Sequence, residues 1–184
     1  MDFLIALWIP ILASAVGVWI VSALCWTAIG HHNKDTAPVP NEQGFISTMK
    51  RMNIPPGNYG FPDFQKCKGK SKEEQKLMMA NPMGLLRVWA PVGMGANMVL
   101  TFMTFLVVST IVAYLGWASL KHSGETFGHI MQVLGTAGVL AYCFSSFPND
   151  IWFQRSKRAM LTNFIDGVVF GLLTGAMFAW LWPK

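Results

Sequence analysis

Four apolar stretches, Phe3–Ile29, Asn97–Trp117, Phe127–Phe147 and Leu161–Trp182, constrain this chain more than any other feature. Each reaches the roughly 20 residues that a helix needs to cross a bilayer. In a lipid interior every backbone N–H and C=O must bond within its own segment, so each stretch reads as a spanning helix. Charge supports this: only 12% of the 184 residues are charged, where a soluble domain carries about 25%. "LASA" at Leu12–Ala15 resembles a signal-cleavage site, but no basic residue precedes it and the apolar run continues to Trp26. Retention as a first span is the expectation.

Lys and Arg orient the spans. The segment Gly30–Gly95 holds nine, and the loop before span four holds Arg155, Lys157 and Arg158. The other side has Lys121 and Lys184. Basic residues favour the cytoplasmic face, so both termini are expected outside. Trp26, Trp89 and Trp152 would mark the inner interface, and Trp117, Trp180 and Trp182 the outer.

The expected fold is therefore an all-α membrane protein. Residues 1–29 form transmembrane helix 1, 30–95 a cytoplasmic cap with two short helices, and 96–184 transmembrane helices 2–4. In the cap, "NEQGFISTMKRM" sets Phe45, Ile46, Met49 and Met52 on one helical face. "PPGNYGFPDF" carries the prolines Pro55, Pro56 and Pro62, which forbid regular structure on this reading. Ser71 and Glu74 form a capping box that opens a second helix, ended by Asn81 and Pro82. Nine basic side chains against five acidic ones leave the cap with a surplus of four positive charges. That fits ordinary inside-facing charge, with docking on anionic lipid head groups as the sharper alternative. No nucleic-acid module, phosphate-binding glycine loop or internal repeat is present.

Span four carries a ladder of small residues, Gly167, Gly171, Gly175 and Ala179, at every fourth position. This spacing lets a second backbone approach closely where lipid supplies no hydrophobic drive. Gly135, Gly138 and Ala141 of span three are a candidate mate, as are Ala13 and Gly17 of span one. A membrane-protein partner or a second copy would fit the same face. Asp166 sits beside the ladder with Thr162 and Asn163, about five residues into the span. A carboxylate there is a proton or cation relay, a hydrogen-bonded acid that fixes packing, or an acid satisfied by Arg155, Lys157 or Arg158. Packing or partner contact is the preferred reading.

Four histidines fall in two groups: His31 and His32 after span one, His122 and His129 around the start of span three. A bis-histidine haem needs ligands at one depth, so this division argues against it and no cofactor is expected. His31 and His32 with Asp35, or His122 and His129 around Glu125, are weak metal candidates, and interfacial polarity accounts for both. Three cysteines, Cys25, Cys67 and Cys143, make no disulfide framework. Cys67 lies among Lys66, Lys68 and Lys70, which favour its thiolate, but no nucleophile–base pair accompanies it.

The "HH" after span one, "PPGNYGFP", "GTAGVLAY" and "IDGVVFGLLTGAMFAWLWP" together resemble a family of uncharacterised small four-span bacterial inner-membrane proteins. The likeness covers most of the chain, the basic stretch around Cys67 excepted. It implies a bacterial inner membrane and no particular reaction. The functional expectation is a non-enzymatic accessory or assembly subunit of a larger membrane complex, for example an energy-transducing one. The alternative is a small oligomeric transporter or proton-linked channel using Asp166.

Overall fold

The computed structural model describes residues 2–122 and 124–183, apart from the side chains of Phe64 and Cys67. The chain forms two compact units, one of residues 1–36 with 94–184 and one of 37–93.

The larger unit holds four helices long and apolar enough to cross a membrane. They are α1 (Asp2–Leu24), α4 (Met94–Ser119), α5 (Phe127–Cys143) and α7 (Lys157–Leu181). The segment of span three extends past α5 through a bend into α6, Phe147–Trp152, with Pro148 in its first turn. Ser156 caps α7 by accepting from the Ala159 N–H, and Thr126 caps α5 by accepting from that of His129. The outward faces are apolar: Ile5, Val99, Leu100, Ile111 and Trp180 are all more than 60% exposed. Large apolar groups in contact with the surroundings along whole helices suit lipid and not water.

α5 and α7 pack backbone to backbone. A Cβ added at Gly171 would lie 2.3 Å from the Val139 nitrogen and 2.7 Å from the Gly138 carbonyl carbon. One at Gly175 would lie 2.5 Å from the Gly135 Cα, and one at Gly167 would lie 3.0 Å from the Tyr142 backbone. The ladder is thus filled within the chain, Gly171 lying against Gly138 and Gly175 against Gly135. Dispersion between such closely apposed backbones is what holds helices together in an apolar solvent.

Two apolar layers fill the bundle. At the end formed by the start of α1 and the end of α7, Leu7, Ile11, Val112, Ala113, Ile130, Leu134, Phe178 and Trp182 form one cluster. Trp182 closes it by donating its ring N–H to the Lys121 carbonyl at 3.1 Å. Nearer the other end, Ala15, Val18, Cys25, Phe105 and Phe170 form a second.

Between them each long helix contributes a hydroxyl: Ser14, Ser109, Tyr142 and Thr174. Ser109 donates to Ser14 at 3.2 Å. The buried Tyr142 hydroxyl lies beside those of Thr174 and Ser109, close enough to interact but outside strict hydrogen-bond geometry. The ring of Tyr142 stacks edge-on against Phe105 and Phe170, with centroids at 6.0 and 5.8 Å. The ring therefore anchors the layer by packing, and the hydroxyl adds a weaker polar contact. Tyr142→Phe is expected to cost at most about 1 kcal/mol of stability in detergent, whereas Tyr142→Ala costs about 3–5 kcal/mol. A large loss on Tyr142→Phe would mean that the hydroxyl is bonded.

The smaller unit contains α2 (Glu42–Met52), β1 (Gly57–Phe61), a short turn of 3₁₀ helix (Phe64–Cys67), α3 (Lys72–Met79) and β2 (Gly84–Val88). Asn41 caps α2, and Asn53, in left-handed geometry at φ 49°, ends it. Ser71 and Glu74 make the reciprocal box that opens α3. β1 and β2 pair antiparallel, Tyr59 opposite Leu86. This pair corrects the expectation of two helices around an irregular turn. Pro55, Pro56 and Pro62 flank β1 instead of interrupting it, and in a two-stranded sheet both strands are edges, where missing donors are tolerated.

Candidate functional site

The last turns of α1 do not continue as an α-helix. Cys25–Ile29 form a π-helical turn, Gly30 adopts left-handed geometry at φ 64°, and His31–Lys34 form a 3₁₀ turn. A side chain at position 30 meets both the left-handed penalty and the Asn33 amide, 3.0 Å from a Cβ there. Glycine is therefore the residue that lets the chain reverse here, and the reversal turns both histidines back onto α7.

There they meet Asp166. His31 Nε2 lies 2.9 Å from one Asp166 oxygen, and His32 Nε2 lies 2.8 Å from the other. The opposite nitrogen of His32 contacts Asp35 at 2.7 Å. That Asp35 oxygen also accepts from the Thr162 hydroxyl at 2.7 Å. Arg158 approaches the second Asp35 oxygen at 3.5 Å and donates to the His31 carbonyl at 3.1 Å. Trp26 stacks on the His32 ring, centroids 4.0 Å apart and planes within 8°. His32, Asp166 and Thr162 are buried, whereas the His31 side chain keeps 26% of its surface exposed.

The cluster balances its own charge. Burial opposes protonation of His32, but its hydrogen bonds to Asp166 and Asp35, reinforced by their charges, raise its pKa above the ordinary imidazole value. Burial likewise works against the Asp35 carboxylate. The Thr162 hydroxyl, His32 and the Arg158 charge outweigh it and hold Asp35 below the usual range. Two acids, Asp166 and Asp35, thus face the His32 ring and the Arg158 guanidinium. A buried acid is tolerated where an opposite charge faces it, as Arg158 faces the otherwise unbonded Asp35 Oδ1 at 3.5 Å.

Cys25 completes the surroundings. Its sulfur, a His31 ring nitrogen and an Asp166 oxygen all lie within 4.8 Å of one another. Among the described residues this is the one group of three histidine, cysteine or acidic side chains close enough to hold a metal ion.

Several expectations change. Of the readings open for Asp166, pairing with Arg155, Lys157 or Arg158 is not found: it is a hydrogen-bonded acid whose partners are His31 and His32. Arg155 instead lies 3.4 Å from both oxygens of Asp150. With its amide oxygen turned toward Arg155, Asn163 accepts from that guanidinium at 2.8 and 2.9 Å, so Asn163 does not belong to the Asp166 centre. α7 begins at Lys157, which places Asp166 nine residues along it, about 13–14 Å from its start. Of the candidate set His31, His32 and Asp35, His31 and His32 both reach Asp166 and His32 reaches Asp35, but the three side chains close enough to hold an ion are Cys25, His31 and Asp166, without His32 or Asp35. The side chain of Cys67, the thiol considered with them, lies outside those described.

His122 and His129 do not converge. His122 stacks on Trp117 at 3.7 Å and approaches its carbonyl at 3.2 Å, while His129 pairs with Glu125 at 2.9 Å. Glu125, bonded first by the Lys121 backbone N–H and then by His129, is held below its ordinary pKa. These contacts fasten the loop before α5.

No protein-family model, curated protein or solved structure matches this chain.

Proposed function

We propose that this chain is an accessory subunit of a larger complex in the bacterial inner membrane, both termini periplasmic, and that its acid–histidine centre is a fixed, one-sided site. The observation that carries the reading is the distribution of polar groups along the bundle. A conducting path needs ionisable or hydrated groups at successive depths. Asp166, His32 and Asp35 gather at one end, and the hydroxyl layer of Ser14, Ser109, Tyr142 and Thr174 lies at mid-bundle. Beyond it the buried side chains from Leu7 to Trp182 are apolar among the described residues. That plug disfavours passage of an ion through the single chain, and so disfavours the transporter alternative. The ladder is occupied within the chain, so a partner would meet other faces.

Tagged protein extracted gently from native membranes tests this. Native sizing is expected to show stoichiometric co-purification with a large membrane complex. A lone monomer or homo-oligomer would overturn the subunit reading. Reconstituted in liposomes, the chain is expected to pass neither protons nor monovalent cations. A current abolished by Asp166→Asn would return the centre to a relay.

A further inference from the structure

We propose that Cys25, His31 and Asp166 bind one divalent transition-metal ion of borderline softness, of the zinc class. The inference rests on the one-sided centre described above and names what that centre holds. Ligand atoms bound to one ion at about 2.0–2.3 Å stand roughly 3–4 Å apart. The 4.8 Å limit within which these three atoms already lie leaves little closure to make.

The backbone supports the same grouping. Residues six apart in a straight α-helix point about 120° away from each other. The π turn at Cys25–Ile29 and the reversal at Gly30 cancel that difference and bring Cys25 and His31 to one point. Single π turns within α-helices are frequent at functional sites. An ion held together with the Asp166 oxygen and the Cys25 sulfur would take His31 Nε2, replacing the hydrogen bond that this nitrogen now makes to the carboxylate. The surroundings suit a held ligand. His32 fixes the second Asp166 oxygen and is itself fixed by Asp35, the carboxylate–imidazole support that orients metal ligands. The partial exposure of His31 supplies an approach from the end of the bundle.

The donor set selects the ion. Magnesium and calcium take oxygen ligands, whereas thiolate with imidazole and carboxylate suits zinc and cobalt(II). Three protein ligands leave a fourth tetrahedral position for water or another small donor.

The full chain in detergent, stripped with a chelator and titrated with cobalt(II), tests the proposal. One equivalent is expected to bind, with a near-ultraviolet thiolate-to-cobalt charge-transfer band and the intensified visible absorption of a tetrahedral ion. Cys25→Ser, a near-isosteric change, is expected to abolish the charge-transfer band. His31→Ala is expected to weaken binding by at least about tenfold. Cys67→Ser and Cys143→Ser are expected to leave the spectrum unchanged. Absence of the band in the unaltered protein, or its persistence in Cys25→Ser, overturns the site. Failure to bind cobalt by a chain that still co-purifies with its complex sinks the metal and leaves the subunit. A bound ion in a chain without a partner does the reverse.

Discussion

Gly171→Leu is expected to abolish recovery of a folded, monodisperse protein. A single methyl group at this position already collides with backbone, at 2.3 Å from the Val139 nitrogen. Backbone atoms do not step aside as the end of a flexible side chain does. Accommodating even Gly171→Ala requires α5 and α7 to separate, which also opens the contacts at Gly167 and Gly175. Overpacking of this kind costs about 1–3 kcal/mol, and the leucine more. Gly128 supplies the internal comparison. It lies in the first turn of α5 with nothing within 4 Å of an added Cβ. Gly128→Ala is expected to stabilise by up to about 1 kcal/mol through helix propensity alone. Unfolding midpoints in mixed micelles read both signs. Equal midpoints for Gly171→Ala and the unaltered chain would mean that α5 and α7 do not meet along the ladder.

Asp166→Ala is the second large effect. It removes the partner of two histidines at once and leaves the buried His32 with Asp35 as its one remaining carboxylate. Breaking a buried pair by deleting one partner costs about 3–5 kcal/mol, most of it the penalty of the charge left behind. Asp166→Asn keeps the volume and one acceptor oxygen, and is expected to cost about 1–3 kcal/mol. A double-mutant cycle with His32→Ala separates the pair from the general loss of packing. The coupling is expected to be at least about 1 kcal/mol, because the two residues share one network. Additive losses would show that Asp166 and His32 act independently. Trp26 gives an optical readout of the same event, since its indole lies against the His32 ring. Its fluorescence is expected to change when Asp166 is lost and to stay constant in Gly128→Ala.

The helices were legible because their signals are local. Length and apolarity mark four spans, a 4-residue repeat of small side chains marks the α7 face, and Ser71 with Glu74 marks the start of α3. The strand pair was hidden by reading Pro55, Pro56 and Pro62 as breakers when they are boundaries. The centre was hidden for a different reason. His31 and Asp166 are 135 residues apart, and the charged groups nearest Asp166 in sequence are basic. A helix that starts at Lys157 and not at Leu161 moves Asp166 about one turn deeper, to the level where the chain leaves α1. Nothing in the run "ALCWTAIGHH" announces a π turn, although Gly30 before two histidines signals a reversal. The usable clue was topological: successive spans alternate direction, so the end of span one and the start of span four share one end of the bundle. Polar Thr162 and Asp166 there should have been set against His31, His32 and Asp35.

The most direct measurement is solid-state NMR of the full chain in lipid bilayers, labelled with ¹⁵N in histidine and ¹³C in aspartate. Correlations are expected from the Nε2 atoms of His31 and His32 to one carboxyl carbon, that of Asp166, with a second from His32 Nδ1 to Asp35. The pair to Asp166 is expected to vanish in Asp166→Asn. Histidines that show no aspartate contact, or contacts that survive that substitution, would contradict the centre on which this account rests.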